Sequence, residues 1–218
     1  MIRRNTIQYS GPNVANNNRE SKVTIIMKKP FLLGFSGKAH SGKDFSADFL
    51  IKSYPELKIV KVGFADAVRD MVRPIFDVDA IYRKGNKEDP IDGFGVSLRE
   101  ILQTLGTDWG RHMIEKDFWV KILNNRILEK YMDYDVVIIS DIRFDNERDY
   151  IIDNGGILID IIVDSNKHSA SKFSGHLSEF GVGIYDSENI IRLNNDFSEG
   201  YLSSLKEIFD SIWHQNNE

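Results

Sequence analysis

The chain has 218 residues, of which 41% are hydrophobic, and a net charge of −5 at pH 7. This length fits one domain with a sizeable core, and the acidic balance argues against general binding of nucleic acid, which favours a basic surface. There is no cysteine, which excludes disulfides, zinc–thiolate sites and a thiol nucleophile, and no apolar run approaches the ~18 residues of a membrane span, so we expect a cytoplasmic protein.

Residues 1–28 predict a flexible N-terminal extension that lies outside the fold. Residues 5–22 are polar, have little periodicity and include the run Asn16-Asn17-Asn18. Such a segment offers little apolar surface to bury, so we do not expect it to pack. The predicted domain covers residues 29–218.

The next segment predicts a loop that binds phosphate groups. Residues 31–36 form a short apolar run, and residues 45–51 have helical spacing. A strand, the pattern G-x-x-x-x-G-K and a helix together wrap backbone N–H groups around the phosphates of a nucleotide. The alternative is a tight glycine turn without a ligand. The residues that we expect to bind the nucleotide phosphates are Gly37, Lys38, Ala39, His40, Ser41, Gly42, Lys43 and Asp44.

Asp44 departs from the usual pattern, in which a Ser or Thr hydroxyl follows the lysine and ligates Mg²⁺. A carboxylate is also an oxygen ligand that suits Mg²⁺, directly or through water. The change therefore either preserves metal binding or adds a negative charge that must be neutralised.

The rest of the chain alternates strands and helices. The predicted strands after the first are 57–64, 135–140, 157–163 and 190–193. The predicted helices after the first are 65–75, one that begins after the capping residue Ser97, 117–131, 146–154 and 201–213. Residues 77–96 are predicted to form a loop or a small irregular insertion, and residues 164–181 a loop. This alternation predicts an α/β fold of the three-layer P-loop NTPase type, with a parallel sheet and helices on both faces.

Asp141 and Arg143 follow the most apolar strand, and ligands of such folds bind at the carboxyl ends of the strands. Asp141 is placed to hold Mg²⁺ or its water, and Arg143 to clamp a phosphate during phosphoryl transfer. The alternative is that Asp141 caps the next helix and Arg143 forms a surface ion pair.

Arg99 and Gln103 are four residues apart on a predicted helix and share one face. An arginine and an amide could contact a phosphate and a base edge, or they could belong to a solvated face. Trp109 could stack on a base or lie in the core.

These motifs together resemble one family. The phosphate loop with Gly-Lys-Asp, the stretch from Leu98 to Arg111, the run from Ser140 to Glu147, His176-x-Ser178-Glu179 and Asn194-Asn195 occur in this order. This combination is similar to the deoxynucleoside monophosphate kinases of tailed bacteriophages, in the adenylate-kinase-like branch of P-loop kinases. The resemblance covers residues 30–212.

The resemblance implies transfer of the γ-phosphate of ATP to a dNMP with Mg²⁺, which gives ADP and a dNDP for DNA synthesis. Lys43, Asp141 and Arg143 would be catalytic, and Asp44 and Asp141 would hold the metal. The implied dNMP-binding residues, in an insertion over about 64–115, are Phe64, Arg69, Arg99, Gln103, Trp109 and Arg111.

The resemblance also implies a lid over about 164–181. Its candidate residues are Lys167, Lys172, His176 and Glu179, so lysines stand where the class usually has arginines. The implied partners are small molecules, without nucleic acid or membrane, in a host cytoplasm if the gene is a phage gene; a homodimer is compatible with the class.

Three other functions stay open from the sequence. A kinase for another small acceptor, such as dephospho-coenzyme A, shares the loop and the fold. A non-catalytic nucleotide-binding module would bind without turnover, with Asp44 preventing it. A motor-type ATPase on nucleic acid would need a basic surface or repeated stacking aromatics, and neither is evident.

Overall fold

The computed structural model describes residues 6–7, 27–84, 87–163 and 182–217. Its centre is a five-stranded sheet in the order β4-β5-β3-β6-β7, in which each neighbouring pair is parallel. A separate antiparallel pair, β1-β2, lies outside this sheet. The strands are β1 Thr6–Ile7, β2 Met27–Lys28, β3 Phe31–Gly37, β4 Ile59–Val62, β5 Val136–Ile139, β6 Ile157–Ile162 and β7 Ile190–Asn194.

Apolar residues on both faces of the central strands explain why helices cover the sheet on two sides. All four residues of β5 are fully buried. In β3, Leu33 and Phe35 belong to the core on one face, whereas Leu32 belongs to the core on the other. A parallel sheet that is covered on both faces requires such continuous apolar strands.

Among the described residues, α1 and α7 cover one face of the sheet, and α2, α5 and α6 contribute buried residues to the other. Helices α1 and α7 contribute Leu50 and Phe209 to the first core, and α2, α5 and α6 contribute Val68, Leu123 and Ile151 to the second. The helices are α1 Lys43–Ser53, α2 Ala65–Val72, α3 Val78–Arg83, α4 Leu98–Gln103, α5 Phe118–Lys130, α6 Asp145–Asp153 and α7 Glu199–Asn217. The predicted three-layer α/β arrangement is confirmed.

Helix α3 corrects the prediction of a loop over residues 77–96. The Asp77 carboxylate caps it by accepting the Ala80 N–H at 2.9 Å. Val78 is buried against Val72 of α2 and Leu98 of α4. The helix is short and has one buried residue, Val78, and its flanks are charged and rich in glycine, so the sequence shows no helical periodicity here.

A π-helix over Thr104–Ile114 continues α4 directly and was not predicted. The Trp119 Nε1 donates to the Gly106 carbonyl at 2.6 Å, and a Cβ on Gly110 would lie 2.5 Å from that same nitrogen. Gly110 thus allows the indole ring to approach the helix backbone. Segments of π-helix are rare and occur frequently at functional sites.

Other boundaries differ by a few residues from those expected. Strand β4 is shorter than predicted, α2 ends at Val72 before Pro74, and α7 extends to Asn217. The predicted lid, with Lys167, Lys172, His176 and Glu179, lies outside the described residues, as does most of the predicted extension over 1–28. Within the described part of the chain, no helix combines the length and the apolar character that a bilayer crossing requires.

The contact between the α6–β6 turn and β3 gives a stability prediction. Gly156 is buried, and a Cβ there would lie 2.5 Å from the Leu32 carbonyl oxygen and 2.8 Å from a side-chain carbon of Ile151. Gly156→Ala should therefore lower the free energy of unfolding by about 1–3 kcal/mol in urea denaturation, because backbone must move to make room.

Gly106→Ala is the matched control, since the nearest atom that its Cβ would meet is 3.9 Å away, on Val68. We expect its free energy of unfolding to be unchanged or higher by up to about 1 kcal/mol. Equal effects of the two substitutions would contradict the packing argument.

Candidate active site at the carboxyl edge of the sheet

The phosphate loop, residues 37–44, has the backbone shape of an anion cradle. Gly37 and Gly42 have φ of 134° and 98°, and His40 has φ of 62°. A Cβ on Gly37 would lie 2.5 Å from the Ile161 carbonyl oxygen, so this position requires glycine. Alternation of right- and left-handed residues turns successive N–H groups toward one concave side, and α1 begins directly behind the loop.

Lys43 extends back across this loop. Its Nζ donates to the carbonyl oxygens of Gly37 and Lys38, each at 2.7 Å. Burial and the positive charge of Arg143 together lower the pKa of Lys43 to about 8, although nearby carboxylates act in the opposite direction. A partly desolvated cation therefore lies inside the predicted phosphate site, with Arg143 close enough to act on it.

Asp44 is held by a residue that the sequence did not single out. The buried Ser140, directly after β5, donates its hydroxyl to Asp44 Oδ1 at 2.8 Å, and Lys61 Nζ lies 3.7 Å from the same oxygen. The Asp44 side chain is 78% exposed, and its other oxygen has no hydrogen-bond partner within the described ranges. The hydroxyl–carboxylate pair joins α1 to the end of β5.

Asp141 caps the start of α2, whereas the capping alternative expected it to cap the helix that follows it in sequence. Its two carboxylate oxygens accept the backbone N–H groups of Phe64 and Ala65 at 2.9 and 3.0 Å. Burial raises the pKa of Asp141, and these two amides oppose the rise. The Phe64 ring is buried and packs edge-on against Tyr150. Asp141 thus fixes the start of α2, and its predicted metal role stays a prediction.

Arg111 lies on the π-helix with its guanidinium almost wholly buried. The side chain is 9% exposed, forms an ion pair with Glu147 and stacks over the Phe144 ring, 4.0 Å from its centroid. Its Nε and Nη1 are buried and have no hydrogen-bond partner among the residues described. Buried donors that lack a partner cost free energy, so these two atoms indicate a place for a ligand.

Glu147 is the buried counter-charge of this arginine. Burial raises the pKa of the Glu147 carboxyl to about 7, although the Arg111 charge opposes this rise. Its side chain is 2% exposed. The carboxylate form therefore depends on Arg111 and on hydrogen bonds from the backbone.

Two further predicted arginines lie on the same side of the sheet with acidic partners. Arg69 pairs with Asp66 at 2.6 Å and lies 5.9 Å from the Tyr82 ring centroid. Arg99 pairs with Glu88 at 2.5 Å. A phosphate ligand would share these guanidinium groups with the carboxylates or replace the carboxylates.

The other predicted residues divide between the site and the core. The Gln103 amide has no hydrogen-bond partner within the described part of the chain. Arg143 is exposed, and its positive charge contributes to the lowered pKa of Lys43. Trp109 packs edge-on against Phe118, with ring centroids 5.5 Å apart, and lies beside Trp119. The structure thus places Trp109 in an aromatic cluster under the π-helix.

Two contacts support the phosphate loop and were missed as functional features. The buried Asn195, directly after β7, donates its Nδ2 to the Ser41 carbonyl at 2.9 Å. Ser36 donates its hydroxyl to Asp160 of β6 at 2.7 Å, and the Asp160 charge also acts on Lys43. Their positions in the sequence could have identified these residues, because polar residues near the carboxyl ends of parallel strands adjoin the ligand site.

Comparison with known proteins points to one family. A family model described as "Deoxynucleotide monophosphate kinase" matches residues 86–207. A protein of Acanthamoeba polyphaga mimivirus, provisionally described with the same words, is 29% identical over 198 residues, which are 85% of this chain and 99% of the relative.

Two phage proteins match shorter regions. The deoxynucleoside-5'-monophosphate kinase of Escherichia phage T5 is 32% identical over 102 residues, 44% of this chain and 39% of the relative. The deoxynucleotide monophosphate kinase of Enterobacteria phage T4 is 31% identical over 117 residues, 53% of this chain and 44% of the relative. The matched region thus spans less than half of each phage protein, and the resemblance seen in the sequence is confirmed.

The lowered pKa of Lys43 predicts selective chemical modification. At pH 8 a larger fraction of its amine is neutral than at Lys58, whose hydrogen bond to Asp133 raises the pKa of that lysine. A limiting amount of an amine-acylating reagent should modify Lys43 first, with a pH midpoint near 8, as measured by peptide mass spectrometry.

Tripolyphosphate should protect Lys43 and leave Lys58 unaffected, because only the former lies in the predicted anion cradle. Equal rates at the two lysines, or protection of both, would count against the assigned position of the amine.

Proposed function

We propose that this chain, which belongs to the deoxynucleotide monophosphate kinase family, transfers the γ-phosphoryl group of ATP to a deoxynucleoside monophosphate. The observation that carries the proposal is the presence of two separate cationic groups that suit phosphate. One is Lys43 in the phosphate loop, and the other is the buried guanidinium of Arg111 with two unused donors. A kinase needs both, because donor and acceptor phosphates must be held at the same time.

The donor site would be the phosphate loop. Its left-handed residues and the start of α1 present N–H groups and a positive helix end to the ATP phosphates. The Lys43 amine would leave the carbonyl oxygens of Gly37 and Lys38 for the β- and γ-phosphate oxygens. Contact with these anions would favour the protonated form of Lys43 and raise its pKa again.

The acceptor site would lie around Arg111. Its two unpartnered nitrogen atoms supply donors for the monophosphate, and Arg69 and Arg99 add positive charge from α2 and α4. The Gln103 amide, one turn after Arg99, is a candidate contact to the base or the sugar. No covalent bond to the protein is needed at this site.

The reaction would proceed by positioning and by neutralisation of charge. An oxygen of the acceptor phosphate forms a bond to the γ-phosphorus of ATP while the bond from that phosphorus to the β–γ bridging oxygen breaks, which releases ADP. Lys43 and Arg143 lie on the donor side of this centre and would hold the charge on the transferred group.

The residues present fit a magnesium ion that is bound mostly by phosphates. In the described segments there is no group of three or more His, Asp or Glu side chains placed to hold a metal. Mg²⁺ commonly takes one or two carboxylates together with substrate phosphates and water, and when bound it neutralises charge on the β- and γ-phosphates. Asp44, oriented by Ser140, would be one ligand, and Asp141 would contribute through lone pairs that its amide contacts leave.

The experiment that tests the proposal is a coupled assay of ADP release from Mg-ATP with dAMP, dGMP, dCMP, dTMP and the matching ribonucleotides. Release that depends on an acceptor would establish the activity and its base and sugar preference. Lys43→Ala should lose turnover and stay folded, and Lys52→Ala, in an exposed position of the same helix, should keep it. ATP binding without release for any acceptor would overturn the proposal.

The metal assignment gives a separate prediction. Ser140→Ala should raise the Mg²⁺ concentration for half-maximal activity by about 10-fold, because outer partners orient the ligand, and Asp44→Asn should raise it further. The metal-dependent affinity for ADP, measured by calorimetry, should fall in parallel.

Asp48→Asn is the control for the metal prediction. Asp48 also pairs with Lys61, at 2.6 Å, and makes no contact with Ser140. If the Mg²⁺ dependence of Asp44→Asn matched that of Asp48→Asn, Asp44 would not be a metal ligand.

A further inference from the structure

We infer that Glu147 is a positioning residue that fixes the acceptor-side Arg111 and the transfer-side residues 143–144 relative to one another. This inference rests on the proposed function and adds a residue to it. In this role the Glu147 carboxylate keeps Arg111 and Arg143, the two arginines proposed to bind phosphate, in fixed positions relative to one another.

The two oxygens of Glu147 contact different parts of the site. Oε1 accepts a hydrogen bond from Arg111 Nη2, across 36 positions of sequence. Oε2 accepts the backbone N–H groups of Arg143 and Phe144, at 2.7 and 3.1 Å. The carboxylate therefore bridges the π-helix and the segment that leaves β5.

Phe144 closes this arrangement from the other side. Its backbone is held by Glu147, and its ring lies under the Arg111 guanidinium, 4.0 Å from ring centroid to the central carbon. A planar cation held by an ion pair at one edge and by a ring on its face has little freedom to rotate. Its two unpartnered nitrogen atoms are thus aimed in a fixed direction.

A second glutamate in the chain shows what ordinary capping looks like. Glu100 also reaches back to the start of its own helix, where it accepts the Ser97 N–H at 2.7 Å and the Ser97 hydroxyl at 2.9 Å. Its hydrogen bonds are all local, and the residue is exposed. Glu147 makes the same kind of cap with one oxygen and uses the other for a distant arginine.

The burial of the pair explains why its charge matters. Arg111 is 9% and Glu147 2% exposed, so removal of one charge leaves the other without solvent to compensate it. An arginine that loses its carboxylate would shift toward another anion or toward water. The acceptor phosphate would then be held in a different place relative to Arg143.

The substitution Glu147→Gln should remove the ion pair with Arg111 and keep the hydrogen bonds from the backbone of residues 143 and 144. The amide oxygen can still accept the N–H groups of Arg143 and Phe144, whereas the amide nitrogen would face the Arg111 donors. We expect the KM for the monophosphate and its Kd without ATP to rise by about 10- to 100-fold, because a hydrogen bond between charged groups is lost. The kcat should also fall, and the KM for ATP should change less than twofold.

Glu100→Gln is the matched control and should leave all four constants unchanged, although it alters the same kind of helix cap. The double variant Arg111→Lys/Glu147→Gln should lose less than the product of the two single losses, since both remove one ion pair. If Glu147→Gln does not fold, Glu147→Asp keeps the charge, is too short to bridge both sides, and should show the same selective rise in the KM for the monophosphate.

The outcomes separate this inference from the proposed function. A wild-type protein that turns over no acceptor would overturn the proposed function. An active wild type, with Glu147→Gln either unaltered or weakened equally for ATP and the monophosphate, would overturn only the role of Glu147. Thermal melting of each variant distinguishes a selective loss from a general loss of stability.

Discussion

Burial of β5 on both faces is the constraint on which the site depends. This strand lies between β3 and β4, so the chain that leaves it emerges beside the phosphate loop on one side and beside α2 on the other. Successive residues then diverge, with Ser140 bound to Asp44 of α1 and Asp141 bound to the first amides of α2. Slightly further on, Glu147 reaches Arg111. A shift of β5 would move all of these contacts together.

The sequence predicted most of the strands and helices because these elements follow from local patterns of residues. Apolar runs marked the buried strands, and the G-x-x-x-x-G-K spacing marked the loop around Lys43. The confirmed order of strands and helices needed no knowledge of distant contacts. Helix α3 and the π-helix were missed because their stability comes from tertiary packing, of Val78 in one case and Trp119 in the other.

The site was less predictable, because neighbours in sequence point in different directions after a strand. Both Ser140 and Asp141 were near the expected edge, and only the structure shows that Ser140 contacts the phosphate loop while Asp141 caps α2. Likewise, Glu147 could be assigned to a helix start, but its bond to Arg111 spans 36 positions. Pairs of this kind have no local signature in one sequence.

The charges of the site are arranged in compensated pairs, which reconciles an acidic protein with an anionic substrate. Arg69, Arg99 and Arg111 each have a carboxylate partner. Buried arginines without partners would destabilise the free protein, whereas paired ones can be held ready. Exposed partners such as Glu88 can yield to a ligand at little cost, and the buried Glu147 cannot. The proposed acceptor side therefore combines counter-charges that a ligand can replace with one that it cannot.

The support of the phosphate loop also affects the order in which the protein can mature during synthesis. The loop leaves the ribosome before two of its supports, because Asn195 binds the Ser41 carbonyl from 154 positions later and the Tyr201 hydroxyl meets Ser46 of α1 from 155 positions later. Domains complete their folding as units once their distant contacts are available. A nascent chain that already displays the whole nucleotide-binding motif thus lacks the residues that hold it in shape until Asn195 and Tyr201 have emerged as well.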